Sequence, residues 1–226
     1  METSPALPHA YILLGPPGCG KSTQAELMRE HFGVCHIDTG SELRALAQED
    51  STLGHEVNRL IHLEKTLVSD EVLTQVLAAA FARVPVGVPV LVDGSPRTMG
   101  QVDEVETLIQ KSGRELFRVI HLTLPLDECL NRITKRYKCY RCGKRYILGS
   151  NLENPEAPCP VCHGPIRQRQ DDTDAGVRRR YALYQSKTLP VIAHYESLDQ
   201  VLTIDARATI PEIFATIQAA LQSESV

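Results

Sequence analysis

A glycine-rich loop between an apolar segment and a helical segment constrains this chain more than any other feature. Residues 15–22 read GPPGCGKS and fit the pattern GxxxxGK[ST]. The preceding AYILLG predicts a buried strand, and the following KSTQAELMREHF predicts a helix that ends at Gly33. In this setting glycines let backbone N–H groups wrap around an anion, and the helix N-terminus adds positive potential. The loop therefore predicts a phosphate site in an α/β fold.

Three side chains of this loop have different expected roles. Lys21 supplies a mobile positive charge for the β- and γ-phosphates of a nucleotide, and Ser22 offers a hydroxyl to Mg²⁺. Cys19 is interpreted as a loop residue and not as a nucleophile, because the sequence specifies no basic partner for it.

Strands and helices alternate along the rest of the chain. Further strands are predicted at VCHID, VPVLVDG, RVIHLTL and VLTI. Helices are predicted at 41–63 in two pieces broken near Ser51 and Gly54, at 69–83, 101–111 and 126–137, from Asp171 or Asp172 to about Tyr195, and at 210–221. This alternation predicts a parallel sheet with right-handed crossovers.

Four cysteines are spaced as zinc ligands. Cys139-x2-Cys142 is followed after sixteen residues by Cys159-x2-Cys162, and the chain has 7 cysteines in all. An odd count without a secretion signal argues against a disulfide framework. The segment has few large apolar residues, so a metal would supply its stability. Four protein ligands leave no open position, so the site is predicted to be structural.

The charge distribution narrows the class of partner. The net charge is -4 and the sequence pI is about 6.1, which argues against a nucleic-acid binder. METSPALPHA lacks a signal-peptide pattern, and no apolar run is long enough to cross a membrane, so a cytoplasmic location is expected.

Basic residues nevertheless concentrate between 132 and 180. Arg132 and Arg136 are predicted four residues apart on one helix face, and Arg169, Arg178 and Arg180 follow. They are interpreted as a phosphate clamp, with a solvated helix face as the alternative.

Asp93 ends the most apolar strand, at the edge where open α/β sheets bind ligands. It is expected to hold Mg²⁺ through water, or alternatively to cap the next turn. Gly94 lets the backbone pass close to a ligand, Pro96 stiffens the turn, and Arg97 is expected to point at phosphates.

The segments GPPGCGKSTQAE, HIDTGSELR, TLVSDE and DGSPRT occur in this order and resemble motifs of the adenylate kinase family, over nearly the whole chain. The resemblance implies a reversible transfer of the γ-phosphoryl group of Mg-ATP to AMP, with closure of a lid that excludes water. It implies that Thr39 lies against the adenine of AMP, that Arg44 meets the AMP phosphate and that Gln101 reads the adenine edge.

The same resemblance implies the complete site. The implied ATP-binding residues are Gly15, Pro16, Pro17, Gly18, Cys19, Gly20, Lys21, Ser22, Thr23, Arg132, Arg136, Arg145, Tyr146 and Ala208. The implied AMP-binding residues are Thr39, Gly40, Arg44, Thr66, Leu67, Val68, Gly94, Ser95, Pro96, Arg97, Gln101, Arg169 and Arg180. The implied catalytic residues are Lys21, Asp93, Arg97, Arg132, Arg136, Arg169 and Arg180.

The resemblance also implies an organisation: an α/β P-loop three-layer sandwich with a five-stranded parallel sheet, in a monomer. The core is expected at 1–37, 69–137 and 171–226, an AMP-binding helical segment at 38–68, and a zinc-binding lid at 138–170.

The sequence departs from the family pattern in three places. Ser95 replaces an aromatic residue beside the acceptor base, Asp38 and Ser41 are exchanged, and Asp205-Ala206 replaces Asp-Gly. Because of Ser95, a kinase for UMP, CMP or GMP is the nearest alternative. The four-cysteine cluster and the basic stretch leave a zinc-ribbon nucleic-acid binder gated by a nucleotide as a second alternative, and a protein that binds nucleotides without transfer is the third.

Overall fold

The computed structural model describes residues 9–64, 66–149, 151–169 and 172–223. Its main sheet has five parallel strands in the order β2-β3-β1-β4-β8, as the alternating sequence pattern predicts. The strands are β1 His9–Leu14, β2 Cys35–Asp38, β3 Val90–Asp93, β4 Glu115–Thr123 and β8 Val201–Asp205. All four residues of β3 are buried, because a central parallel strand is covered on both faces.

Helices connect these strands. They are α1 Lys21–Phe32, α2 Thr39–Leu46, α3 Thr52–Asn58, α4 Asp70–Ala82, α5 Val102–Lys111, α6 Leu126–Thr134, α7 Asp174–Leu183, α8 Leu189–Ser197 and α9 Ile210–Ser223. A π-helical turn, Arg59–Glu64, follows α3, another, Tyr184–Thr188, joins α7 to α8, and a 3₁₀ turn, Met99–Gln101, precedes α5.

Local signals set several helix ends. Gly33 ends α1 with a left-handed backbone (φ 66°), and the Ser69 side chain accepts a hydrogen bond from the Val72 N–H to begin α4. Ser51 begins α3 in the same way, through the N–H of Gly54. The predicted break therefore lies before α3, and Gly54 lies inside that helix, because its N–H is the group that Ser51 caps.

The described residues form two compact units. The first comprises 9–15, 19–64, 66–123 and 183–223 and contains the five-stranded sheet. Its core joins β1 and β3 to α4, α5 and α8 through buried side chains such as Ile12, Val92, Leu77, Val105 and Ile192.

The second unit comprises 16–18, 124–149, 151–169 and 172–182. It contains α6 and an antiparallel sheet in the order β6-β5-β7, with strands β5 Arg136–Cys139, β6 Arg145–Ile147 and β7 Ile166–Arg167. A small core of Tyr146, Leu152 and Ile166 packs around Cys139 and Cys159. The division expected at residues 38, 69, 138 and 171 stays a prediction.

Two predicted helix boundaries are wrong. The helix expected at 126–137 ends at Thr134, because Arg136 and Tyr137 pair with Ile147 and Tyr146 in the antiparallel sheet. Arg132 and Arg136 therefore do not share a helix face. The helix expected from Asp171 or Asp172 begins at Asp174, while Asp171 lies outside the described residues. Within the described residues, no helix combines the length and apolar character needed to cross a membrane.

Candidate active site

Three strand ends lie side by side in the first unit. Leu13 of β1 is paired with Asp93 of β3, and Asp93 is paired with Asp38 of β2. The segment that begins at Gly15, the turn after Asp93 and helix α2 therefore leave neighbouring strands at one edge, as the switch-point rule for α/β sheets requires.

The phosphate loop depends on glycine at its start. Gly15 has φ +151°, and a Cβ there would lie 2.4 Å from the Leu122 carbonyl oxygen. Lys21 donates from Nζ to the Gly15 carbonyl at 2.8 Å and lies 3.5 Å from Cys19 Sγ. Gly20, with φ +93°, precedes the first turn of α1, which contains Lys21, Ser22 and Thr23. Cys19 is fully buried.

The turn after β3 holds Arg97 against its own backbone. Arg97 Nε donates to the Gly94 carbonyl at 2.7 Å, and a Cβ at Gly94 (φ +83°) would lie 2.9 Å from Arg97 Nη2. Glycine is therefore favoured at 94 by its backbone angle, whereas a Cβ would require only a shift of the end of the Arg97 side chain. Asp93 is 4% exposed, and its Oδ2 atom lies 3.3 Å from Nε2 of His36. The Ser95–Pro96 peptide is cis.

Two buried hydroxyls in the predicted acceptor site have no hydrogen-bond partner among the described residues. They belong to Thr39, which is 2% exposed, and to Ser95, which is 1% exposed. Buried hydroxyls are usually satisfied, so a polar ligand group fits this part of the site.

Helix α2 places Arg44 beside its own cap. Asp38 accepts from the Ser41 N–H at 3.0 Å and from Ser41 Oγ at 2.6 Å, and Arg44 Nη2 donates to Ser41 Oγ at 2.9 Å. Burial raises the pKa of Asp38, but hydrogen bonds from Ser41 and the charge of Arg44 lower it by more. The pKa of Asp38 is therefore below its usual value. The exchange of Asp and Ser relative to the family thus keeps the cap. A Cβ at Gly40 would come within 3.0 Å of Arg44 Nη1.

The Gln101 amide is held at both ends. Its Oε1 accepts from the Arg97 backbone N–H at 2.8 Å, and its Nε2 donates to Asp70 Oδ1 at 2.8 Å. The predicted segment at 66–68 comes just before α4, with Thr66 exposed and Val68 buried.

Ala206 and Ala208 follow β8. Ala206 is buried and donates from its N–H to the Thr123 carbonyl at 2.9 Å, whereas Ala208 is exposed. Among the described residues, left-handed φ angles outside glycine occur only at His163 and Asp199. Ala206 therefore replaces the family glycine without backbone strain.

In the second unit, one buried carboxylate binds two of the predicted arginines. Asp172, whose side chain is 0% exposed, accepts from Arg136 Nε at 2.9 Å and Nη2 at 2.6 Å, and from Arg180 Nη2 at 3.1 Å. A bidentate arginine–carboxylate pair fixes both groups strongly. Arg132 lies in α6, and Arg169 lies between β7 and α7. Pro16, Pro17 and Gly18 belong to this unit, and a Cβ at Gly18 would lie 2.9 Å from Ile133 Cγ1.

The four predicted metal ligands come together. Their sulfur atoms all lie within 4.8 Å of one another, with Cys139 and Cys162 at 3.4 Å and Cys142 and Cys159 at 3.7 Å. A zinc–thiolate tetrahedron with bonds of about 2.3 Å has edges of about 3.8 Å, so the cluster fits Zn²⁺. A Cβ at Gly164 would lie 2.4 Å from the Arg141 Cβ, so this turn requires glycine.

Tyr146 belongs to this cluster through its hydroxyl. The hydroxyl lies 3.0 Å from Cys159 Sγ, and the residue is 3% exposed. Burial raises the pKa of Cys159, but hydrogen bonds from Tyr146 and from the Val161 and Cys162 backbone lower it to about 6. The predicted contact of Tyr146 with ATP stays a prediction. Arg145 next to it is exposed.

Sequence reasoning missed two residues that contact the predicted site. His36 reaches Asp93 only because β2 and β3 are neighbours, which no local pattern reveals. Asp70 looks like an ordinary acid in the first turn of a helix, and its contact with Gln101 spans 31 residues.

Comparison with known proteins gives one consistent family. Residues 13–200 match the family model of adenylate kinase. An adenylate kinase of Novosphingobium aromaticivorans is 36% identical over 213 residues, covering 93% of this chain and 97% of that protein. Adenylate kinases of Clostridium botulinum (strain Hall) and Carboxydothermus hydrogenoformans are 34% and 33% identical, covering 91% and 93% of this chain and 95% and 98% of those proteins. With similarity along almost its entire length, the chain belongs to the adenylate kinase family of enzymes.

Proposed function

We propose that this enzyme transfers the γ-phosphoryl group of Mg-ATP reversibly to AMP and so produces two ADP. The observation that carries this proposal is the meeting of three neighbouring strand ends in the first unit. One of them leads into the phosphate loop, the second into the turn with Arg97, and the third into the helix with Thr39 and Arg44. A donor and an acceptor nucleotide bound along this edge would have their phosphates close together.

The residues of the first unit would act mainly by positioning and by neutralising charge, since phosphoryl transfer needs little covalent chemistry from the protein. Lys21 would leave the Gly15 carbonyl and move to the β- and γ-phosphates. Arg44 and Arg97 would bind the acceptor phosphate in the forked manner typical of guanidinium groups. Ser22 and the water shell of Asp93 would hold Mg²⁺, which neutralises charge on the phosphate oxygens when bound.

The arginines of the second unit would complete the site. We propose that segment 138–170 closes as a lid, that segment 38–68 closes over AMP, and that the rest of the chain forms the core. Arg132, Arg136, Arg169 and Arg180 would then surround the transferring group, with Asp172 holding two of them in fixed orientations. Closure would also exclude water, which competes with AMP as an acceptor.

The test is a set of initial rates with Mg-ATP and AMP, dAMP, CMP, UMP or GMP, followed by ADP formation. We expect a strong preference for AMP. Preference for another nucleotide would support kinase activity but with an acceptor other than AMP. Ser95 would then be the first residue to examine. Binding of ATP without transfer to any acceptor would contradict the proposed reaction.

A further inference from the structure

We propose that Asp70 locks the side-chain amide of Gln101 in one orientation, so that this amide accepts a 6-aminopurine and rejects a 6-oxopurine. Asp70 is the first residue of α4, and Gln101 ends the 3₁₀ turn before α5. The inference rests on the proposed AMP site, in which Gln101 faces the acceptor base. Asp70 would thus control the choice of acceptor base indirectly, by positioning Gln101.

Two fixed partners give the amide its orientation. The Arg97 backbone N–H can only donate, and it faces Oε1 of Gln101 at 2.8 Å. The Asp70 carboxylate can only accept, and it faces Nε2 at 2.8 Å. If the amide nitrogen and oxygen exchanged places, a donor would face a donor at Arg97 and an acceptor would face an acceptor at Asp70. Gln101 is 3% exposed, so water does not relieve such a mismatch easily.

The lock leaves one reading edge. A glutamine amide has two N–H donors and two acceptor positions, and each fixed partner uses one of them. The remaining N–H and lone pair complement adenine, which has an amino donor at position 6 beside an acceptor at N1. Hypoxanthine has an acceptor at position 6 and a donor at N1. It therefore needs the Gln101 amide rotated by half a turn, with its oxygen and nitrogen exchanged. An amide free to rotate serves both bases, whereas a locked amide leaves unpaired polar groups against one of them.

The surroundings of Asp70 hold its carboxylate in place. Thr98 Oγ1 lies 3.5 Å from Oδ1, and a Cβ at Gly100 would lie 2.7 Å from Oδ2. The carboxylate thus occupies a space that only glycine at 100 leaves open. An alanine at that position would force the carboxylate to shift.

The decisive experiment compares AMP and IMP as acceptors in the wild-type enzyme and in Asp70→Asn. Asparagine has nearly the same shape but can donate as well as accept, so only the Arg97 N–H still opposes rotation of the amide. We expect the ratio of kcat/KM for AMP to that for IMP to fall about tenfold, with the KM for Mg-ATP unchanged. Gly100→Ala, which displaces the same carboxylate, should lower the ratio in the same direction.

Glu71→Gln is the matched control, because it removes the same charge from the same helical turn at an exposed position. It should leave the ratio at the wild-type value. Because Asp70 is proposed to act only through the Gln101 amide, the double variant Asp70→Asn/Gln101→Ala should have the same AMP-to-IMP ratio as Gln101→Ala alone. Calorimetric Kd values for AMP and IMP without ATP should give the same pattern independently of catalysis.

An unchanged AMP-to-IMP ratio in a folded Asp70→Asn or Gly100→Ala enzyme would overturn the lock. So would an effect of Asp70→Asn that persists when Gln101 is alanine. Equal kcat/KM values for AMP and IMP in the wild-type enzyme would overturn it as well. Preference of the wild-type enzyme for CMP or UMP over AMP would instead refute the proposed acceptor. The lock would then be judged from the Kd ratio, which must still change in Asp70→Asn.

Discussion

At the scale of single residues, loss of the Arg97 side chain should strongly lower turnover. It is held by the Gly94 carbonyl, and it is proposed to bind the acceptor phosphate. We expect Arg97→Ala to lower kcat/KM for AMP by about a hundredfold or more, because a removed guanidinium leaves transition-state charge without its partner. Steady-state rates and thermal melting measure the two effects separately.

Arg83→Ala is the matched control for this prediction. Arg83 is an exposed arginine at the end of α4 that pairs with Glu42, so its loss should change neither rate nor melting appreciably. Near-normal turnover of Arg97→Ala would remove this residue from the proposed site.

Asp172 is the second residue with a defined consequence. Its buried carboxylate pairs with both Arg136 and Arg180, so Asp172→Asn removes the negative charge that compensates these two guanidinium groups. Loss of one partner from a buried ion pair costs about 3 kcal/mol. We therefore expect a lower melting temperature together with a lower kcat. Asp174→Asn, at the exposed pair with Arg178, should do neither, and equal effects of the two substitutions would contradict the role of Asp172.

At the scale of elements, the sequence predicts the parts that depend on local patterns. The phosphate loop, the apolar strand before Asp93 and the cysteine spacing each carry their own signal, and each element forms where it is expected. The end of α6 was not predictable in this way. Arg136 has good helix propensity, but it lies in a strand of the small sheet and pairs with Ile147, eleven positions later. Contacts between distant segments, such as Asp70 with Gln101, are equally invisible to a local pattern.

The small sheet of the second unit should depend on its metal. We expect a zinc chelator to expose segment 138–170 to proteolysis before the five-stranded sheet unfolds, because few apolar side chains besides Tyr146, Leu152 and Ile166 hold it together. Tyr146→Phe removes the hydroxyl that contacts Cys159 and should raise zinc loss to a chelator by about tenfold. A colorimetric zinc indicator and limited proteolysis measure the two outcomes.

Tyr137→Phe removes a hydroxyl from the neighbouring position in the same sheet and is the control for this substitution. It should release zinc at the wild-type rate. Equal zinc retention in Tyr146→Phe and wild type would mean that the hydroxyl does not support the metal ligand. Unchanged proteolysis between Cys139 and Cys162 after chelation would argue against a structural metal.

At the scale of the whole molecule, one buried histidine should make folding stability sensitive to mild acid. His121 of β4 is 5% exposed, contacts the Tyr184 hydroxyl through Nε2 at 2.7 Å and lies 3.4 Å from Thr203 Oγ1 through Nδ1. Burial, together with the charge of Lys21, lowers the pKa of His121 to about 4. In the unfolded chain the pKa returns to about 6.5.

Between these two pKa values the unfolded chain binds one proton more than the folded chain, so stability is lost as the pH falls. From pH 7.5 to pH 5 the contribution of His121 to this loss is about 2 kcal/mol. Urea unfolding at the two pH values measures how far the free energy of unfolding falls between pH 7.5 and pH 5. This fall should be smaller in His121→Asn than in wild type, whatever the stability of the variant at pH 7.5. His55→Gln, at an exposed histidine, should keep the wild-type decrease. If His121→Asn keeps it as well, the histidine is not held neutral by the fold.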